Sequence, residues 1–156
     1  MLIDVITLYQ PWASLAAFEE KGFETRGWGT KHRGTLAIHA GNKIDYEACK
    51  LPRIKAALEK HGIKDPEQLP TGCIIAITQL FDCVQMVESK ESKYGVKVPG
   101  YKLSDQEYDF GFYEPGRYAW ILANVRRPKE PIPARGRQRI WKFELNSINF
   151  KGQEWA

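Results

Sequence analysis

Alternating apolar and polar positions predict most of the regular structure in this chain. In residues 2–9, Ile3 and Val5 fall on one side of an extended segment, because successive side chains of a strand point to opposite faces. The apolar run 72–84 carries a charge only near its end, at Asp82, which is typical of a central strand buried on both faces. Strands are predicted over 2–9, 23–28, 35–40, 72–84 and 117–125, and after Arg139.

Helical patterns in the chain are short. Pro11 suits a first helical turn, and the alanines that follow Trp12 favour helix. A helix is therefore predicted from Trp12, and Gly22 is expected to end it, because glycine tolerates a left-handed cap. Ser104 and Glu107 have the spacing of a capping box. Further helices are predicted over Tyr46–Cys49, after a cap at Asp45, over Arg53–His61 and over Ser104–Tyr108.

The segment 86–115 interrupts these patterns and is predicted to be a long irregular insertion. It is polar, with glycine or proline at 95, 99, 100 and 111 and tyrosines at 94, 101, 108 and 113. Long loops in compact domains are usually functional or mobile. The segment is a candidate lid over a cleft, with tyrosines that stack on bases. Packing of the same tyrosines into the core is an equal alternative.

The composition is that of one globular domain over 1–156, with residues 146–156 as a terminal extension. The chain has a net charge of +4 and no apolar run near the ~18 residues of a membrane span, so no membrane association is predicted. Residues 1–5 carry no basic leader, which predicts a cytoplasmic location. The three cysteines lack CxxC spacing, so neither a metal site nor a disulfide framework is predicted. No cofactor is predicted either.

The charges are segregated along the chain. Residues 116–142 carry eight Lys or Arg against one acid, whereas residues 82–114 carry seven acids against four bases. Such segregation predicts a polyanionic partner that approaches from one side.

Charges of both signs meet where the first predicted helix gives way to a strand. Glu24 and Arg26 point to the same face of that strand, because they are two residues apart, and Lys21 directly precedes it. Two interpretations are open. The corner is a solvated turn with a surface ion pair worth ~0–1 kcal/mol, or the three side chains line the floor of a cleft.

The pattern Lys21-x-x-Glu24-x-Arg26 resembles the signature of ASCH domains, small relatives of the PUA domain of RNA-modifying enzymes. The family pattern places a glycine two residues before the lysine, where this chain has Glu19. Further stretches that resemble bacterial and phage members are Leu8–Ala13, Arg33–Ala40, Gly116–Trp120 and Pro133–Gln138. By this resemblance, which spans nearly the whole chain, the protein is identified as a member of the ASCH family.

The resemblance implies an α+β fold, a small PUA-like β-barrel of about five to six mostly antiparallel strands with two to three packed helices. It also implies a cleft for RNA or a nucleotide, with Lys21, Glu24 and Arg26 facing in. An ionised carboxylate only accepts hydrogen bonds, so Glu24 beside Arg26 suits a base or ribose edge. Further ligand contacts are predicted at Trp12, His39, Arg117, Arg135, Arg137 and Arg139.

Two of these predictions depend on local pattern. Arg135, Arg137 and Arg139 alternate, so an extended backbone would place all three on one side, where planar guanidinium groups suit phosphate. His39 ends a predicted strand, and both a structural histidine and a ligand contact remain open for it.

Two other functions are carried as alternatives. One is a hydrolase that acts on RNA or on acylated cytidine nucleosides, with Lys21 and Glu24 as catalytic residues. In the amidohydrolase branch of the family a threonine stands in place of Glu24, and a glutamate on a later strand takes part, whereas the strand 74–80 has no acid. The other alternative is a protein-interaction module that docks through residues 88–114.

Overall fold

The computed structural model describes residues 1–145, and the predicted terminal extension lies outside them. The strands within this range are β1 (Leu2–Gln10), β2 (Phe23–Arg26), β3 (Gly34–Ile44), β4 (Cys73–Gln85), β5 (Val87–Glu88), β6 (Val96–Lys97), β7 (Tyr118–Arg126), β8 (Ile132–Pro133) and β9 (Ile140–Glu144). The α-helices are α1 (Trp12–Ala17), α2 (Tyr46–Lys50), α3 (Pro52–Lys60) and α4 (Asp105–Asp109), and Pro66–Gln68 forms a single 3-10 turn. None of the helices in this range has the length and apolar character that would let it cross a bilayer.

The main sheet is open, with the strand order β2-β7-β4-β3-β1-β9 and β8 added to β4. All of its pairs are antiparallel except β1 with β3, which are parallel. The mixed α+β class is confirmed. The predicted closed barrel of about five to six strands with two to three helices is wrong, because residues 1–145 form a seven-stranded open sheet, a separate β5–β6 pair and four α-helices.

The sheet stays open because its two edge strands do not reach each other. β9 pairs with β1 only over Leu2–Ile6, so the outer edge of β1 beyond Ile6 is not covered by β9. At that point the Arg26 guanidinium, projecting from the opposite edge strand β2, donates to the Thr7 carbonyl at 2.9 Å. Here a single side chain, and not a ladder of backbone hydrogen bonds, connects β2 to β1. A gap remains between the two strands beside this side chain.

Short amphipathic helices cover the sheet. α1 packs against β1, β3 and β4, and its alanines are buried in the main core with Trp120. α3 buries Ile54, Ala57 and Leu58, which their spacing places on one face of the helix. Asp45 caps α2 by accepting from the Ala48 N–H at 3.0 Å, as predicted.

The end of α1 differs from its prediction. The helix stops at Ala17 rather than at Gly22, and Glu19 takes the left-handed conformation with φ 62°. The amides of Glu20 and Lys21 then donate to the Leu15 carbonyl at 3.0 and 3.2 Å. These bonds close the helix before Gly22, and Lys21 turns inward at the start of β2.

The segment 86–115 has a small core of its own. β5 and β6 form a hairpin within it, and α4 follows. Met86, Val96, Val98 and Tyr113 are buried together in a separate hydrophobic cluster. Because apolar burial holds this segment on the main sheet, it can form a fixed wall beside β2.

Candidate functional site

Three charged side chains converge at the start of β2. The Lys21 ammonium lies 3.3 Å from one oxygen of the Glu24 carboxylate, and Arg26 Nε lies 3.2 Å from the other. Lys21 is only 2% exposed, and its ammonium also donates to the Phe23 carbonyl. Glu24 is buried as well, and Arg26 is only partly exposed. Buried charges are costly without a partner, so the trio is a built feature and not the solvated turn that was the alternative interpretation.

The segment 86–115 holds the backbone of this corner. The Glu107 carboxylate accepts from the Gly22 and Phe23 amides at 2.6 and 2.9 Å. Burial raises the pKa of Glu107 above its ordinary value, while those two N–H groups and the charge of Lys21 act in the opposite direction. Further along β2, Thr25 Oγ1 accepts from the Phe112 amide at 3.0 Å. The wall beside the motif is therefore hydrogen-bonded to it along its length.

A neighbouring carboxylate anchors the approach to the motif. Glu20 Oε1 is 2.9 Å from the Lys60 ammonium and 3.0 Å from His61 Nε2, and Gln106 Nε2 donates to Glu20 Oε2 at 3.1 Å. The bonds from Lys60 and then His61 lower the pKa of Glu20 to about 2. Glu20 thus ties α3 and α4 to the segment that precedes Lys21.

The gap between the sheet edges is a cleft of about 750 Å³. The outer part of β1, Trp12 of α1, β2 with the residues after it, residues 110–112, Arg117 and residues 137–139 line this cleft. The predicted site residues that it brings together are Trp12, Lys21, Glu24, Arg26, Arg117, Arg137 and Arg139.

Two arginines at the rim are stacked on aromatic rings. The Arg139 guanidinium lies 4.0 Å from the centroid of the Trp28 ring. The Arg117 guanidinium lies 4.4 Å from the centroid of the Phe112 ring, and its Nε donates to the Phe112 carbonyl at 2.9 Å. Phe112 itself is 54% exposed. Stacking fixes the plane of each guanidinium, so these cations are held in place before any ligand arrives.

Two predicted site residues are not among the described residues that line the cleft. Arg135 is exposed outside it, because residues 134–139 are not a strand and Arg139 has φ 60°, so the expected alternation on one side does not form. His39 is 1% exposed, and burial lowers its pKa, an effect that the Ala134 hydrogen bond partly offsets. Neither Arg135 nor His39 is therefore placed to contact a ligand in the cleft.

The sequence did not indicate several of the cleft residues. Thr7 and Tyr9 belong to β1, and only the unpaired edge of that strand brings them to the cleft. Trp28 is an aromatic residue close to the motif in sequence, and Phe112 is one within the segment 86–115. No local pattern indicates that either of them lines a cleft. The aromatic residues that line the cleft from this segment are Phe110 and Phe112, whereas the four tyrosines named for stacking belong to the cluster beneath them.

Fold and site together define a small α+β domain with an open mixed sheet and a cation-rich cleft at its unclosed edge. Residues 6–132 match the ASCH domain, and the chain belongs to the ASCH domain family. It is 28% identical to activating signal cointegrator 1 of Mus musculus and 29% identical to that of Homo sapiens, over 141 residues in each case. These matches cover 89% of this chain but only 22% of each relative.

Solved structures of ASCH proteins from Zymomonas mobilis are also similar. The ASCH protein is 16% identical with a TM-score of 0.49, covering 95% of this chain and 90% of that one. A tyrosine-to-phenylalanine mutant of an ASCH protein from the same organism is 18% identical with a TM-score of 0.45, covering 83% and 74%.

Proposed function

We propose that the cleft binds single-stranded RNA, with one unpaired nucleotide at the Lys21–Glu24–Arg26 floor and its phosphates on the arginine rim. The observation that carries this proposal is the convergence of a mixed-charge trio, with Lys21 and Glu24 buried, and rim arginines in a single cleft. Membership of the ASCH family, whose resemblance implies RNA binding, supports the same conclusion.

The floor suits the edge of a nucleotide. Glu24 only accepts hydrogen bonds, and each of its oxygens keeps lone pairs beyond the ion pairs with Lys21 and Arg26. An exocyclic amino group or a ribose hydroxyl is a matching donor. The Lys21 ammonium has three N–H donors, of which the Phe23 carbonyl occupies one, while Glu24 forms an ion pair with it. The ammonium therefore keeps donor capacity for a base or ribose oxygen. A base can reach this floor only when it is unpaired.

The rim suits phosphates and a stacked base. Arg117, Arg137 and Arg139 line one cleft, and guanidinium groups contact phosphate oxygens through paired N–H donors. Phe112 presents an exposed ring in the same cleft, and stacking of a base on an aromatic side chain is worth ~1–3 kcal/mol. The rim arginines thus position the RNA through its phosphates, whereas the floor selects the nucleotide.

Fluorescence anisotropy with a labelled, unstructured RNA oligonucleotide tests the proposal. We expect binding that weakens as salt rises, and we expect the double variant Arg137→Ala/Arg139→Ala to lower the log–log salt slope by ~0.7 for each lost phosphate contact. Arg53→Ala is the matched control, because Arg53 pairs with Asp109 and does not line the cleft. Its slope should equal that of the wild type.

Competition separates the proposed ligand from other nucleic acids. Unlabelled single-stranded RNA should displace the probe at a lower concentration than duplex RNA, because a base can reach the floor only when it is unpaired. It should also displace the probe at a lower concentration than single-stranded DNA of the same sequence, because DNA lacks the 2′-hydroxyl that Glu24 can accept from. Absence of binding at low salt, or equal displacement by duplex RNA, would contradict the proposal.

The hydrolase alternative has one observation in its favour, the Glu24 carboxylate 3.3 Å from the Lys21 ammonium inside the cleft. A carboxylate this close to the amine can exchange a proton with Lys21 during a reaction. Incubation of the protein with RNA and with an acylated cytidine nucleoside, followed by chromatography, tests this function. Turnover that disappears in a Lys21→Met variant that is still folded by circular dichroism would favour catalysis. Intact substrates with the wild type would leave binding as the function.

A further inference from the structure

The loop 134–139, here called the arginine loop, is tied to the sheet at its start by His39. Nε2 of this buried ring lies 2.7 Å from the Ala134 carbonyl oxygen. A carbonyl only accepts, so Nε2 carries the proton and donates. The loop then brings Arg137 and Arg139 to the cleft rim, whereas His39 itself is not among the described residues that line the cleft.

The middle of the loop is tied down by Thr7. The Thr7 hydroxyl lies 3.3 Å from the Arg137 carbonyl oxygen and 3.2 Å from His39 Nδ1, and it can donate its one proton to either acceptor. It also accepts from Trp141 Nε1 at 3.0 Å. The histidine, the threonine and the tryptophan thus form one hydrogen-bonded unit beneath the loop, and Trp141 packs edge-on to the His39 ring.

Gly136 lies directly on this unit. A Cβ at position 136 would be 2.7 Å from Cε1 of the His39 ring and 3.1 Å from the Thr7 hydroxyl oxygen. The first distance is shorter than van der Waals contact, so only glycine lets the loop backbone approach the ring this closely. The loop is therefore seated on His39 by contact as well as by hydrogen bonds.

We propose that His39 is a positioning residue, one that fixes the arginine loop and thereby holds Arg137 and Arg139 at the cleft rim. The inference rests on the proposed RNA-binding function, and it assigns to His39 a role other than direct ligand contact. Cations that are fixed before binding lose less conformational entropy when a phosphate arrives. The loop's attachment to His39 accordingly sets the strength of the phosphate contacts while leaving the Lys21–Glu24–Arg26 floor unchanged.

The test combines His39 variants with removal of the arginines, using the labelled RNA described above. His39→Leu is expected to weaken RNA binding and to lower the salt slope by ~0.7–1.4, the equivalent of one or two phosphate contacts. His39→Gln should retain most of the affinity, because its amide can donate to Ala134 and accept from Thr7. In the Arg137→Ala/Arg139→Ala background, His39→Leu should have no further effect, since the groups that it positions are gone.

Gly136→Ala is an independent perturbation of the same contact, and it keeps the inference testable if His39→Leu does not fold. It should reproduce the loss of affinity and of salt slope. His32→Leu is the matched control, because the His32 ring bonds to the Thr35 carbonyl and does not line the cleft, and it should leave the salt slope at the wild-type value. If His39→Leu lowers the affinity equally in the wild type and in the Arg137→Ala/Arg139→Ala background, His39 does not act by positioning these two arginines. Only a structural role would then be left for it.

A readout without RNA separates failure of this inference from failure of the proposed function. Arg139 stacks on Trp28, so movement of the arginine loop should shift the indole N–H signal of Trp28 in NMR spectra of His39→Leu and Gly136→Ala. An unchanged Trp28 signal in both variants would overturn the positioning role, whatever the RNA result. A shifted signal in a protein whose wild type fails to bind RNA would support loop positioning and reject RNA as the ligand.

Discussion

At the scale of the residue, the exit from α1 is an unusual feature of this chain. Glu19 adopts φ 62°, a conformation that costs a residue with a Cβ about 1–2 kcal/mol relative to the right-handed region. The ASCH signature that this chain resembles has glycine at this position. The turn in this chain takes the left-handed conformation without the residue that would adopt it freely, and Lys21 lines the cleft two residues later.

We therefore expect Glu19→Gly to stabilise the fold. The free energy gained by relieving the left-handed strain exceeds the entropic cost that arises because glycine makes the unfolded chain more flexible. The net gain should be about 0.5–1 kcal/mol in the free energy of unfolding. Urea denaturation followed by circular dichroism measures it. Glu19→Ala is the control, because it removes the same exposed side chain but keeps the Cβ. A gain in Glu19→Ala equal to that in Glu19→Gly would show that the carboxylate, and not the backbone, is the cause.

At the scale of the element, α4 shows why a correct helix prediction can still miss a function. The Ser104 hydroxyl accepts from the Glu107 amide at 3.1 Å, which is one half of the predicted capping box. The other half would bring the Glu107 carboxylate back to the Ser104 amide. That carboxylate instead reaches across to Gly22 and Phe23, so the same residue that suits a cap serves to dock the helix against the motif.

Loss of this docking contact should destabilise the corner. Glu107→Ala leaves two backbone N–H groups without their acceptor, and we expect a loss of about 1–3 kcal/mol in the free energy of unfolding. Hydrogen exchange at the Gly22 and Phe23 amides should become faster. Glu107→Gln retains one acceptor oxygen and should lose less, and Glu114→Ala, at an exposed position of the same segment, should change neither quantity. Unchanged exchange at both amides in Glu107→Ala would contradict the docking role.

At the scale of the whole molecule, the cleft exists because the sheet does not close. β2 and β9 are the edge strands of the main sheet, and Arg26 spans from β2 to the Thr7 carbonyl on β1. Arg26 also holds one side of the Glu24 carboxylate. One side chain therefore links β2 to the part of β1 that β9 leaves uncovered, and it completes the charged floor.

Arg26→Met should open this link. The variant removes the bond to the Thr7 carbonyl and leaves Glu24 with Lys21 alone, so we expect a loss of about 1–3 kcal/mol in the free energy of unfolding and weaker RNA binding. Arg26→Lys keeps the charge without the planar fork and should fall between the wild type and Arg26→Met in both measurements. Thermal melts and the RNA titration together provide the check. If Arg26→Met has the wild-type melting temperature and the wild-type RNA affinity, other contacts must hold β2 to β1.

Short-range features of this molecule were predictable, and long-range ones were not. β2, α2, the buried face of α3 and the Ser104 cap follow from spacing and capping rules that act within a few residues. The closed barrel was wrong, because strand pairing joins segments far apart in the chain, such as β1 with β9. Arg137 and Arg139 reach the cleft while Arg135 does not, since positive φ at Arg139 ends the alternation that the pattern assumed.

By itself, the sequence determined the family, the local elements and the shared face of Glu24 and Arg26, because these depend on residue type and on a spacing of a few residues. Only the tertiary structure decided that the trio is covered, that Phe112 and Thr7 border it, and that His39 lies beneath the arginine loop. Burial and hydrogen bonding at these places depend on which distant segments meet. The unpaired outer edge of β1 beyond Ile6, which no local pattern encodes, is the reason that they meet around a cleft rather than within a closed barrel.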